Sequence, residues 1–286
     1  MVCTRTRGSA MDSRRYEVPC HRIAAAALLG LLAISLSAGC AKPALPDHDQ
    51  RLPCGNLYYL DGAGGGTELV NWCQGVRDGL LEAGYAGACE MFTWQTGLGA
   101  VADQDIDVAY KRQKAGELAN RILQYRKDQP DAPVVLIGLS AGTAVAVFTA
   151  EAMAEDCPVD TVVLLGASIG SNYDLTKALR HVRGKLYIFT SPNDGVLGLL
   201  MAVTGTADRQ PGSAAGATGF VIPAGATEET RKLYAEKLVT IAWTKEFERV
   251  GNFGHHLDNV NKDFIRNYVA PVVMGGKPPS PRQVTR

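Results

Sequence analysis

Two serines of this chain lie between glycines spaced for a tight turn. "GLSAG" puts Ser140 between Gly138 and Gly142, and "GASIG" puts Ser168 between Gly166 and Gly170. A serine hydroxyl attacks well only when the backbone holds it clear of its surroundings and a base takes its proton. Glycines two before and two after serve the first need, because a strand and a helix nearly touch at a sharp strand-to-helix turn. Context separates the two serines. "VVLIGL" (Val134–Leu139) is a continuous apolar run of strand length, and a helix-like segment starts at Thr143, with Ala141, Thr143 and Ala144 keeping its start slim. After Gly170, "SNYDL" breaks the chain before any helix can form. Ser140 is the candidate nucleophile, and Ser168 reads as part of the loop after the next strand.

A base and an acid must then follow along the chain, in the order Ser, acid, His. The chain has five histidines. His21 and His48 precede the first strand, and after Ser140 come His181, His255 and His256. The adjacent pair lies in "GNFGHHLD", past the final strand candidate. Neighbouring side chains in an extended loop point in opposite directions, so only one of the pair can face Ser140. The short gap to the helix beginning near Asn261 leans to His256 over His255. The acid candidate is Asp194 in "SPNDGVLG", at the end of the strand "KLYIFT". "PNDG" also favours turns unaided. Asp208 is the substitute, and Asp160 and Asp174 are less well placed.

"DGAGGG" (residues 61–66) follows an early strand, where a glycine-rich turn can cradle an anion. The dinucleotide pattern fails, because Thr67 stands where its third glycine belongs, and no phosphate-loop pattern occurs in the chain.

With "GLSAG", "SPNDGVLG", "GNFGHHLD" and "DGAGGG" taken together, the chain resembles the α/β-hydrolase superfamily in an esterase- or lipase-like form, over roughly residues 56–270. The resemblance implies an α/β-hydrolase-like three-layer sandwich, Ser140 as nucleophile, His256 or His255 as base, and Asp194 orienting that base. It implies an oxyanion hole made by the backbone N–H of Ala141 with that of Ala63 or Gly64. Asp61 stands where many members carry histidine. The short lead before the first strand implies a trimmed form, nearer the small cutinase-like members. The reaction implied is acyl transfer to water from an ester, thioester or lipid, with neither metal nor cofactor. The rival is a non-catalytic ligand- or lipid-binding envelope protein on the same fold.

The elements that must position these residues alternate. Strands are expected at "NLYYL", "CEMFTW", "VVLIGL", "DTVVLLGAS", "KLYIFT" and "VTIAWTKEF". Helices are expected over 67–84, 107–128, 143–156, 174–182, 227–238 and 261–269, with loop after Pro271. Such alternation predicts right-handed crossovers and a mainly parallel sheet of about six strands, and the unbroken apolar strands predict cover on both faces. The Gly-, Ala- and Thr-rich stretch from Val196 to Ala226 reads either as a cover over the site or as an ordered irregular loop. Tyr58, Tyr59, Trp72 and Trp94 read as core or pocket lining.

Twenty-nine basic and 29 acidic residues give no net charge, which argues against a nucleic-acid partner. The N-terminus is of another kind. "RRYEVPCHR" is basic, "IAAAALLGLLAISL" is apolar but too short to span a membrane, and "LSAGC" ends at Cys40. This predicts a signal peptide over residues 1–39 and export. "LSAGC" resembles a bacterial lipoprotein signal, with Ser37 in the place of the usual aliphatic residue, and implies lipid attachment at Cys40 and a membrane of the cell envelope as partner. Residues 40–55, rich in proline and polar groups, read as a tether, and 271–286 as a tail. In an oxidising compartment Cys54, Cys73, Cys89 and Cys157 allow two disulfides in three pairings, or four free thiols.

Overall fold

The computed structural model describes residues 47–67, 70–198 and 205–276. The expected signal peptide, Cys40, the start of the tether, residues 199–204 of the Gly-rich stretch and most of the tail lie outside the described residues.

Six strands form one sheet: β1 (Asn56–Leu60), β2 (Ala88–Met91), β3 (Val134–Leu139), β4 (Val159–Leu165), β5 (Val182–Thr190) and β6 (Leu238–Ala242). Their order is β2-β1-β3-β4-β5-β6, and every pairing is parallel. Side chains alternate between two cores, one on each face. Tyr58, Leu60, Val134, Leu136, Val162 and Leu164 enter one, and Leu57, Tyr59, Val135, Ile137, Val163 and Leu165 enter the other. This is the three-layer parallel α/β sandwich that the alternating sequence predicts.

Helices α1 (Cys73–Glu82), α2 (Ala100–Asp105), α3 (Val108–Asp128), α4 (Gly142–Ala152), α5 (Thr176–Arg180) and α6 (Glu228–Lys237) lie between the strands. Helix α3 is capped by Asp107, whose side chain accepts the Ala109 N–H. Helix α4 is buried from Gly142 to Glu151, so its apolar composition all round is that of a core helix. Among the described residues no helix is long and apolar enough to cross a membrane.

The chain leaves the sheet centre in opposite directions after β1 and β3, which are neighbours with β2 on one side and β4 on the other. The carboxyl ends of strands at such a reversal open a crevice where ligands bind. The glycine loop follows β1 and Ser140 follows β3, so both meet at this point.

Several boundaries differ from expectation, each for a local reason. Helix α1 starts at Cys73 rather than Thr67, because the N–H groups of Gly66 and Trp72 turn inward to the Asp61 carboxylate. Strand β6 stops at Ala242, where its partner β5 ends at Thr190, and residues Lys245–Val250 coil into a 3₁₀ helix. The closing helix does not stop before Pro271. It widens to a π turn over Ile265–Val269, directly before Pro271, which has no N–H to give, and resumes over Ala270–Val273. The last part of the expected tether is folded: His48–Arg51 is helical, the Arg51 guanidinium donates to the Tyr85 carbonyl, and the Tyr125 hydroxyl donates to that of Leu52. Cys54, Cys89 and Cys157 are free thiols, so no disulfide joins any two of the four. Cys157 packs against the core on one face of the sheet, and Cys73 and Cys89 against the core on the other. Burial pushes the Cys89 thiol up to about 12.

Candidate active site

Ser140 takes φ +51°, a left-handed backbone that non-glycine residues seldom hold. The turn is locked from several sides. Its N–H donates to the Leu165 carbonyl at 3.0 Å, and its own carbonyl accepts the Thr143 N–H and hydroxyl. A side chain at Gly142 would place its Cβ 2.3 Å from the Leu60 carbonyl oxygen, and one at Gly138 would sit 2.8 Å from Thr143 Cα. Both glycines are therefore steric requirements of the turn. Ser140 sits beside the amino end of α4, where the backbone N–H groups favour negative charge. Ser168 differs. It is fully buried, and its Oγ has no hydrogen-bond partner among the described residues.

The two histidines part in opposite senses. The His255 side chain is 71% exposed, its Nδ1 3.4 Å from Asp258 Oδ2, and it caps the 3₁₀ turn His256–Val260. His256 is buried, and its Nδ1 lies 2.7 Å from Asp194 Oδ2. An ionised carboxylate only accepts, so Nδ1 carries the proton and Nε2 is left as the basic nitrogen. The other carboxylate oxygen of Asp194 accepts the Leu197 N–H at 3.1 Å. The imidazole packs against Gly166, where an added Cβ would lie 3.0 Å from Nδ1, and Asn259 donates to the His256 carbonyl. The link to the serine runs through the end of β4: Ser140 is bonded to Leu165, and the imidazole rests on the next residue. No direct Ser140–His256 hydrogen bond is formed.

The other carboxylates lie elsewhere. Asp208 accepts the Gly170 N–H, Asp160 pairs with Arg126 and Arg183 at the start of β4, and Asp174 accepts from Thr176 and Tyr234. His181 is a buried histidine against the Ala150 carbonyl.

The glycine loop is arranged around Asp61. Its carboxylate accepts the Tyr59 hydroxyl and the N–H groups of Gly62, Gly66 and Trp72. Burial raises its pKa above the usual carboxylate range, against the pull of those hydrogen bonds. Gly62 borders the serine: an added Cβ there would be 3.2 Å from Ser140 Cβ. Of the two loop donors suggested by resemblance, Gly64 is engaged, its N–H bound at 2.8 Å to Asp103 Oδ2. Among the described residues, no acceptor meets the N–H of Ala63 or of Ala141.

Four further residues complete this neighbourhood. Gln95 donates through Nε2 to the carbonyls of Asp61 and Gly62, and Asp103 ties Gly64 to Thr96. Gly166 seats the imidazole, and Asn259 holds its backbone. Asp103 lies in a six-residue helix with no amphipathic pattern, and Gln95 in an irregular stretch, so periodicity marks neither. Only Gly166 had a signal, as the first glycine of the second motif, where its role is to give room to a histidine.

The far part of the Gly-rich stretch is built onto β4's loop. Ala207, Ala215 and Gly216 donate backbone N–H groups to the carbonyls of Ser168, Ile169 and Ala167. Lys111 is buried and donates to the carbonyls of Gln104 and Ala207, joining α2 and α3 to this stretch. Ala215–Thr218 form one helical turn, and Ala214 bridges to Gly170. Among the described residues no group of three or more His, Cys, Asp or Glu could hold a metal ion.

No family model and no curated protein matches the chain. Among solved structures it is similar to lipase B of Aspergillus fumigatus, at 9% identity over 81% of this chain and 55% of that one, with a TM-score of 0.48. It therefore spans little more than half the length of that lipase. It is also similar to the LpqC poly(3-hydroxybutyrate) depolymerase of Bordetella parapertussis (12% identity, 80% and 82% covered, TM-score 0.46). A third is a cutinase-like protein from Cryptococcus sp. (14% identity, 79% and 97% covered, TM-score 0.39).

Proposed function

We propose that the protein is a serine hydrolase that cleaves ester-type bonds through an acyl-enzyme. Ser140 attacks the carbonyl carbon, His256 Nε2 takes the hydroxyl proton, and Asp194 holds the imidazole and balances the imidazolium. The oxyanion is held by the N–H groups of Ala63 and Ala141, aided by the amino end of α4. The proton then passes from His256 to the leaving alcohol, and a water activated by the same nitrogen releases the acid.

The observation that carries this reading is the buried 2.7 Å contact between His256 Nδ1 and Asp194 Oδ2, set beside a serine with positive φ at the sheet's reversal point. His255, out in solvent and turned to Asp258, is the residue that the site leaves aside. The substrate class is a carboxylic ester, including lipid esters and thioesters. The protein acts outside the cytoplasm, held to a membrane of the cell envelope by lipid on Cys40.

The test is hydrolysis of a series of chromogenic esters of increasing acyl length by the wild type and Ser140→Ala. Turnover by the first and none by the second supports the reading. A folded wild type with no turnover on any chain length, or an active Ser140→Ala, contradicts it.

A further inference from the structure

The peptide joining Gly62 to Ala63 is the unit on which the loop half of the oxyanion hole depends. It is trans, so its carbonyl and its N–H point in opposite directions. The carbonyl accepts Gln95 Nε2 at 2.9 Å and the Gly65 N–H at 3.1 Å. Holding the carbonyl fixes the direction of the Ala63 N–H, and a hydrogen bond on the carbonyl polarises that N–H. Gln95 is itself constrained. Its Oε1 accepts the Trp94 N–H, and Nε2 also donates to the Asp61 carbonyl, so only one orientation of the amide satisfies all three contacts. The next peptide is held from the far side. Its Gly64 N–H goes to Asp103 Oδ2, while Asp103 Oδ1 accepts the Thr96 N–H and hydroxyl at 2.7 and 2.6 Å. Asp103 is 1% exposed, so this anchor does not compete with water.

We propose that Gln95 and Asp103 are positioning residues of the oxyanion hole, clamping the two peptides on either side of Ala63 so that its N–H faces the acyl oxygen on Ser140. The proposal rests on the serine-hydrolase reading above. Neither residue touches the reacting atoms. Each acts through a loop peptide: Gln95 through a carbonyl, Asp103 through an N–H.

Gln95→Glu is the sharpest test, because it keeps size and shape while replacing the donating NH₂ with a carboxylate oxygen. At neutral pH a carboxylate would face the carbonyls of Asp61 and Gly62 and push the loop away. We expect kcat to fall about 10- to 100-fold, short of the 10²–10³ for an outright lost donor. KM should stay within about twofold, because the oxyanion forms only in the transition state. The affinity of a trifluoromethyl ketone, whose Ser140 adduct carries an oxyanion, should fall by the same factor as kcat. As the pH is lowered the new carboxyl gains a proton and can donate again, so the ratio of variant to wild-type kcat should rise. Gln95→Leu should show the loss with a ratio that is flat in pH. Asp103→Asn, which must turn its NH₂ toward either Gly64 or Thr96, should lower kcat and ketone affinity together.

A merely structural role would lower the melting temperature and leave the Gln95→Glu ratio flat, and that result overturns the proposal. If Gln95→Leu does not fold, the pH dependence of the isosteric variant decides. If Ser140 is essential yet Gln95→Glu and Asp103→Asn keep both kcat and ketone affinity, the clamp is wrong and the hydrolase reading stands. If Ser140→Ala remains active, the hydrolase reading itself fails.

Discussion

Asp194→Asn should lower kcat/KM by orders of magnitude while leaving the fold intact, and the structure says how. The carboxylate faces His256 Nδ1 with one oxygen and the Leu197 N–H with the other. An asparagine amide fits the same space in two ways. With its NH₂ toward Leu197, two donors face each other in a buried place, at a cost of about 1–3 kcal/mol. With its NH₂ toward His256, the Leu197 bond is kept, and the imidazole must offer Nδ1 as acceptor and carry its proton on Nε2. The second arrangement is favoured by that same amount, about 5- to 150-fold at 1.4 kcal/mol per tenfold. Most of the molecules then hold a histidine unable to take the Ser140 proton. The remainder lack the negative charge that balances the imidazolium. Together the two effects reach the roughly 10⁴-fold loss expected when a triad's carboxylate becomes an amide. Steady-state hydrolysis of a chromogenic ester gives kcat/KM, and thermal unfolding gives the control. Unaltered turnover in a protein that still needs Ser140 would refute the assignment of Asp194. A large drop in melting temperature would refute the argument from the two amide orientations.

Other outcomes follow from the same geometry. His256→Ala should abolish turnover, whereas His255→Ala should keep most of it, with a loss of no more than about tenfold, read as kcat/KM; the reverse pattern would reassign the base. Gly142→Ala puts a Cβ against two backbone carbonyl oxygens that cannot swing aside, those of Leu60 and Asp61 at 2.3 and 2.5 Å. It should destabilise the protein by about 1–3 kcal/mol in denaturant titration, and a shift of ~1 Å at the serine should cost about 10²-fold in kcat. Burial, together with nearby Arg209, lowers the Lys111 amino group from 10.5 to about 8, although Asp208, Asp105 and Asp103 pull the other way. Between those values the unfolded chain binds more of this proton than the folded one, so stability from Lys111 rises with pH. The unfolding free energy of wild type minus that of Lys111→Met should therefore increase from pH 8 to pH 10, and a difference that is flat or falls would contradict the burial argument.

What sequence could show here was decided by range. The strand β3, the turn at Ser140 and helix α4 are one continuous stretch, and their chemistry is local: apolar run, glycine, serine, glycine, helix former. The parallel sheet was legible for the same reason, since buried strands and amphipathic helices alternate plainly. The choice between His255 and His256 was only half legible, because chain order places both at the end of the same strand. A contact 62 residues away, to Asp194, separates them. Asp61 was visible only as a departure from a pattern, and its role as the acceptor for three loop N–H groups and a tyrosine belongs to the folded loop. Gln95 and Asp103 reach across more than 30 residues to a few backbone groups of the glycine loop, which leaves no periodic trace. The cysteines were misleading as a framework, because an even count says nothing of the sheet that stands between Cys157 and Cys89.

Ser140, as proposed, is an activated nucleophile. Incubation of the folded protein with a fluorophosphonate, followed by mass spectrometry of its peptides, tests it without knowledge of the substrate. One phosphonyl group is expected, on Ser140, lost in Ser140→Ala and strongly slowed in His256→Ala. An unlabelled folded protein, or a label on Ser168, would contradict it.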